Sequence, residues 1–136
     1  MNNDEIKMFK LLLKRDYPYL IYKIEDCQNE IELLYHKMSG DKAISYGDAK
    51  GTTNQQAIEE YKLMLGEQIS LIEKEKMIYE ERLNDILKVL DKLDEYDREM
   101  FNLKYMKHKT YHQIGKIYYL TASAVSKRMS KALEKL

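Results

Sequence analysis

The chain has 136 residues, with 23 basic and 23 acidic side chains, one Pro, five Gly, one Cys and no Trp. Gly and Pro are too scarce for a collagen-like or low-complexity chain, and no apolar run approaches the ~20 residues of a membrane span. A single Cys excludes an intrachain disulfide framework and a cysteine-rich zinc site. The opening stretch, MNNDEIKMFK, has no long apolar run and no small-residue cleavage site, so it does not read as a signal peptide. The chain reads as cytoplasmic.

The zero net charge conceals a split. Residues Lys104 to Leu136 hold eight basic side chains against Glu134 alone, a net of +7. The first 103 residues therefore carry −7. Two readings follow: an acidic body with a basic tail that meets a polyanion, or a solvated, charge-rich helical surface.

In chain order, Asp4 to Arg15 read as a short amphipathic helix with Ile6, Met8, Phe9, Leu12 and Leu13. Pro18 ends or kinks it, and suits the first turn of the next helix. Leu20, Ile24, Cys27, Ile31, Leu34 and Met38 then repeat in steps of four and three, an unbroken heptad stripe. Cys27 reads as a small buried apolar residue. Residues Ser39 to Thr53 carry three of the five glycines and no apolar period, so they read as a loop. Thr53 with Gln56 is a capping box that opens a second long helix.

That helix carries Leu65, Ile69, Ile72, Lys76, Tyr79, Leu83, Ile86, Leu90 and Leu93 at heptad spacing, with Lys76 the only polar member. Two such stripes predict an antiparallel helical hairpin. An unmatched apolar seam would remain on the longer helix. Either a second subunit covers it, giving a homo-oligomer, or the N-terminal segment does.

After Leu93 the period changes. Asp94-Glu95 opens a helix with Met100, Phe101, Leu103 and Tyr105 as apolar positions. Thr110 and Gln113 form a further capping box before Ile114, Ile117 and Tyr118. Thr121 caps a last helix with Val125, Met129, Leu133 and Leu136 on its apolar side. Two short helices joined by a tight turn make a helix-turn-helix pattern. Gly115 stands where the pair must approach, and Ile114, Tyr118, Leu120 and Val125 would hold it together.

The outer face of the last helix carries Ala122, Ser123, Ser126, Lys127 and Ser130. Small polar side chains of this kind can enter a major groove and touch base edges. Thr110, Tyr111, Lys116, Thr121, Arg128 and Lys131 are candidates for phosphate contacts. The fold class is thus all-α: residues 1–93 form a helical oligomerisation region with loop 39–53, and residues 94–136 form a three-helix DNA-binding domain.

No catalytic constellation stands out, so the chain does not read as an enzyme, and no cofactor is implied. His36, His108 and His112 have no Cys or carboxylate cluster at metal spacing, so no metal site is read. No Gly-rich phosphate-cradling motif occurs.

The stretch from Leu93-Asp94-Glu95-Tyr96-Asp97-Arg98-Glu99 to Leu103-Lys104-Tyr105 resembles the opening helix of sigma factor region 4. Thr110-Tyr111-His112-Gln113-Ile114-Gly115 resembles its S/T-Y/W-x-x-I-A helix. Thr121 to Arg128, with the ending Ala132-Leu133-Glu134-Lys135-Leu136, resembles its recognition helix. Two departures stand out. Tyr119 and Lys107-His108 occupy turns where that pattern often has Gly, and a Tyr in the turn requires either positive φ or another turn type. The rest of the chain lacks the core-promoter-reading regions of a full sigma factor. With its coiled coil, its Ile44-Ser45-Tyr46-Gly47-Asp48 loop and its terminal module, the chain resembles small phage regulators of the ArpU/RinA type. That resemblance implies a late-gene transcriptional activator of a phage or prophage, acting on double-stranded DNA. RNA polymerase is a second partner that a sigma-like module implies. Two other functions fit the pattern: a phage terminase small subunit, and a coiled-coil interaction protein with no role on DNA.

Overall fold

In the computed structural model, residues 1–39 and 55–136 are described. The 39–53 loop, apart from Ser39, and the capping box expected at Thr53 lie outside them. Among the described residues every regular element is a helix: α1 (Asn3–Leu11), α2 (Tyr17–Met38), α3 (Gln55–Asp91), α4 (Glu95–Phe101), α5 (Tyr111–Tyr118) and α6 (Ala122–Glu134). Short π-helical turns, Leu12–Asp16 and Asn102–Met106, follow α1 and α4. No helix among the described residues is long and apolar enough to cross a membrane. The chain divides into two compact units, one from residues 21–81 and the other from residues 1–20 with 82–136.

The first unit is the expected antiparallel hairpin. Met38 Cε lies 3.7 Å from where a Cβ on Gly66 would sit. Farther along, Lys76 Nζ donates to Gln28 Oε1 at 2.7 Å, and Lys23 Nζ stands 5.8 Å from the Tyr79 ring centre. As the numbering falls on α2 it rises on α3, so the two run in opposite directions. The heptad stripes face inward: Cys27, Ile31, Leu65 and Ile69 are buried, and Ile24, Leu34 and Ile72 are half-buried. Burial, then the charge of Glu75, push the Cys27 thiol above its usual range, which keeps it protonated and inert. Lys76 sits on the seam because Gln28 and, at 3.7 Å, Glu80 satisfy its ammonium.

The second unit joins the two ends of the chain. Its core holds Ile6, Phe9 and Leu13 from the N-terminal segment with Met100, Phe101, Ile114, Val125, Met129 and Leu133. Here α1 packs on α6. Lys10 Nζ donates to Ser130 Oγ at 2.6 Å, and the Met1 nitrogen donates to Leu133 O at 3.3 Å. Asn2 caps α1: its side chain accepts from Glu5 N–H at 2.8 Å, while Glu5 Oε1 accepts from Asn2 N–H at 3.2 Å.

Pro18 lies in the first turn of α2, as expected, but helical structure runs up to it without a break. The backbone widens by one residue first, with the Tyr17 N–H donating to Leu12 O, five residues back. This π turn absorbs the missing Pro18 donor and lets helical structure continue into α2. The expected apolar set is refined as well. Met8 and Leu12 are exposed, and so are Ile117 and Leu136 in the C-terminal helices.

Leu13, at 1% exposure, is the N-terminal residue most completely buried in this core. Leu13→Ala should lower unfolding stability by about 3 kcal/mol, measured by urea denaturation. A loss under about 1 kcal/mol would show that the site collapses around the deletion.

Candidate nucleic-acid interface

The three C-terminal helices are each started by a side-chain cap. Asp94 Oδ1 accepts from Asp97 N–H at 2.8 Å. Thr110 Oγ1 accepts from Gln113 N–H at 3.1 Å, and Gln113 Oε1 accepts in return from Thr110 N–H at 2.9 Å. Thr121 Oγ1 accepts from Ala124 N–H at 3.1 Å. Each cap fixes where a helix begins, and hence which side chains fall on its outer face.

The turn between α5 and α6 is the tightest point of the unit. A Cβ on residue 115 would collide with the Leu120 carbonyl oxygen and lie 3.2 Å from its carbonyl carbon. Only Gly fits there. Leu120 N–H donates to Gly115 O at 2.8 Å. Tyr119 closes the helix in the left-handed region, at φ 59° and ψ 41°, and the residue is 95% exposed. His108, in the preceding turn, also has positive φ, at 55°. Both departures from the glycine pattern are thus met by left-handed non-glycine residues rather than by a different turn.

The outer stripe of α6 presents Ser123 and Lys127, both exposed, with Ser126 and Ser130 half-buried beside them. Ala122 is half-buried, at the margin of the core. Ser130 is engaged by Lys10. Helical spacing places Ser130 and Arg128 on opposite flanks of this stripe.

Arg128 faces α4. Its Nε donates to Asp97 Oδ1 at 3.0 Å, and its guanidinium lies 4.1 Å from the Tyr96 ring centre. Tyr96 in turn meets Tyr118, with ring centres 4.8 Å apart. Asp97 is the one buried charged residue among those described, so this ion pair ties α6 to α4. Burial and then Glu99 push the Tyr118 hydroxyl up to about 12, which keeps it neutral. A cleft on this flank is lined by Asp94, Asp97, Lys127, Arg128, Lys131 and Lys135.

On the other flank Thr110 and Tyr111 line a groove of about 590 Å³. Lys104 Nζ sits 4.2 Å above the Tyr111 ring centre. Burial, then Tyr111, push the Tyr105 hydroxyl above its usual range. Lys116 and Thr121 are exposed, on α5 and at the start of α6. The candidate residues are therefore gathered on one unit, but Thr110, Thr121, Arg128 and Ser130 also have structural partners. The roles of Asp97 and Lys10 as partners of Arg128 and Ser130 are not visible in the sequence. A lone Asp in a first helical turn reads as a dipole partner, and a lone Lys reads as a solvated surface group.

Among the described residues, no cluster of three or more His, Cys, Asp or Glu side chains is placed to hold a metal ion.

A caps-and-turn arrangement of this kind, with an outward polar stripe on its last helix, defines a helix-turn-helix module. Residues 89–136 match the family model of sigma-70, region 4. These residues are thus a sigma-region-4-like helix-turn-helix, a kind of module that binds DNA. No curated protein and no solved structure matches the chain.

The strained turn gives a paired expectation. Tyr119→Gly should raise stability by about 1 kcal/mol, because only Gly adopts the left-handed region without cost. Gly115→Ala should lower it by about 2 kcal/mol through overpacking against backbone. Thermal melts followed by circular dichroism read both. A Tyr119→Gly melt at or below that of the unaltered chain would show that the turn is not under strain.

Proposed function

We propose that the chain is a sequence-specific DNA-binding transcriptional regulator, of the kind that activates late genes of a phage or prophage in a bacterial cytoplasm. The observation that carries this reading is the sigma-region-4 match over residues 89–136, with a polar stripe facing outward on α6. In this reading Ala122, Ser123, Ser126, Lys127 and Ser130 face base edges, with Ser130 presented together with Lys10. Thr110, Tyr111, Lys116, Thr121, Arg128 and Lys131 meet phosphates, Arg128 through the part of its side chain that Asp97 leaves exposed. RNA polymerase is a second partner of the same module. The functional division falls between residues 93 and 94, and the ArpU/RinA-like sequence pattern supports the late-gene role.

The hairpin serves as the oligomerisation region. Met64, Leu71 and Ile78 are exposed on α3 at intervals of seven, the spacing of a coiled-coil seam, with Leu63 and Met77 beside them. A second copy of the chain is the proposed cover.

Selection of bound fragments from genomic DNA with the purified chain should enrich one short motif. On that motif, Lys127→Ala should reduce the preference for the site over mixed sequence by roughly tenfold, about 1.4 kcal/mol. Lys116→Ala should weaken all duplexes alike and lower the salt slope by about 0.9. The mass of the complex should be that of a dimer on DNA. A ring of eight or more subunits would instead favour a terminase small subunit. Absence of duplex binding at low salt would overturn the DNA reading in favour of a coiled-coil interaction protein.

A further inference from the structure

The sequence places Lys7, Lys10 and Lys14 in the acidic part of the chain. The structure puts them elsewhere. All three line the groove of about 590 Å³ whose other wall carries Lys104, Lys109 and Thr110. They are spaced three and four residues apart, so they fall on one side of the N-terminal helix and the turn that follows it.

Among the described residues, none of these five lysines forms an ion pair; the ion pairs present are Lys76–Glu80 and Arg128–Asp97. Packing like charges along one groove without counter-charge is unfavourable, and a bound polyanion removes that repulsion. The groove is also tied to the recognition helix. Lys10 reaches Ser130 Oγ at 2.6 Å, and burial holds the Lys10 ammonium below its ordinary value.

The location favours one polyanion. A helix lying in a major groove has a phosphate strand on each side. One flank of α6 carries Lys127, Arg128, Lys131 and Lys135 along its cleft. The opposite flank, marked by Ser130, supplies few cations from 94–136 beyond Lys104 and Lys109. The lysines of α1 and its turn complete that side.

We propose that Lys7, Lys10 and Lys14 bind the sugar-phosphate backbone of duplex DNA along the Ser130 flank of the recognition helix, so that the DNA-binding surface is built from both ends of the chain. This rests on the DNA-binding reading above. The contacts are to phosphate, so they add affinity and orientation without reading sequence.

The test uses the full chain and a mixed-sequence 30-base-pair duplex, with affinity measured by fluorescence anisotropy across a salt series. Lys7→Ala with Lys14→Ala should lower the slope of log affinity against log salt by about 1.8, near 0.9 per lost phosphate contact. Lys7→Arg with Lys14→Arg should keep the original slope, since charge is retained. Lys62→Ala with Lys74→Ala, two exposed lysines of the hairpin, should leave it unchanged. Lys7 and Lys14 are exposed, so the Ala pair should melt at the temperature of the unaltered chain. An unchanged slope in the Lys7/Lys14 pair, with a lowered slope for Lys116→Ala, would overturn this proposal and leave the DNA reading standing. Equal loss in the Lys62/Lys74 pair would overturn it by showing a general charge effect. Absence of duplex binding by the unaltered chain would overturn both.

Discussion

The backbone of Leu120 lies against Gly115 with no room for a methyl group between them. That approach sets how closely α5 and α6 pack, and much of the module follows from it. Ile114, one residue before, is fully buried, as are Val125 and Met129 of α6. The chain must then reverse within three residues, which forces Tyr119 into the left-handed region. Thr121 can cap α6 only because the turn delivers it with an extended backbone, at φ −74° and ψ 159°. With the start and the buried side of α6 both fixed, Ser123 and Lys127 have only solvent to face.

A second constraint is polar. Asp97 is buried, and Arg128 is its partner. A buried carboxylate without a partner is costly, so the ion pair holds α6 against α4 at its middle. Ser130 and Lys10 make a comparable link on the other flank, to α1. α6 is therefore braced on both sides by side chains that its sequence alone marks as candidate ligand contacts. On the proposed DNA reading, structure and recognition draw on the same residues.

The periodic features were legible in the sequence. The heptad stripes from Leu20 to Met38 and from Leu65 to Leu93 specify a hairpin because they repeat over many turns and leave one consistent solution. The caps at Thr110 and Thr121, and Gly115 in the turn, were legible because each needs only a local hydrogen bond or a local clash. What was not legible is long-range. Nothing in Ile6, Phe9 and Leu13 distinguishes a helix that covers a hairpin seam from one that docks on α6. Lys10 and Ser130 are 120 residues apart, and local spacing carries no information on that pairing. Pro18 does lie in the first turn of α2, as its sequence position suggests, but the π turn that precedes it was not legible. A π turn leaves no composition signal.

The meeting of α1 with α6 also bears on how the protein is made. α1 is synthesised before the helix it packs against, with the whole hairpin between them. At 5–20 residues per second, the 120 positions between Lys10 and Ser130 take roughly 6 to 24 s to synthesise. Throughout that interval Ile6, Phe9 and Leu13 lack their final partners. The hairpin, whose contacts are nearer in sequence, can form in the meantime, which shortens the effective separation of the segments on either side of it. The packing of α6 on α1 is thus completed only after both helices have been made. A truncated product would expose the apolar side of α1, a mark that chaperones and proteases act on.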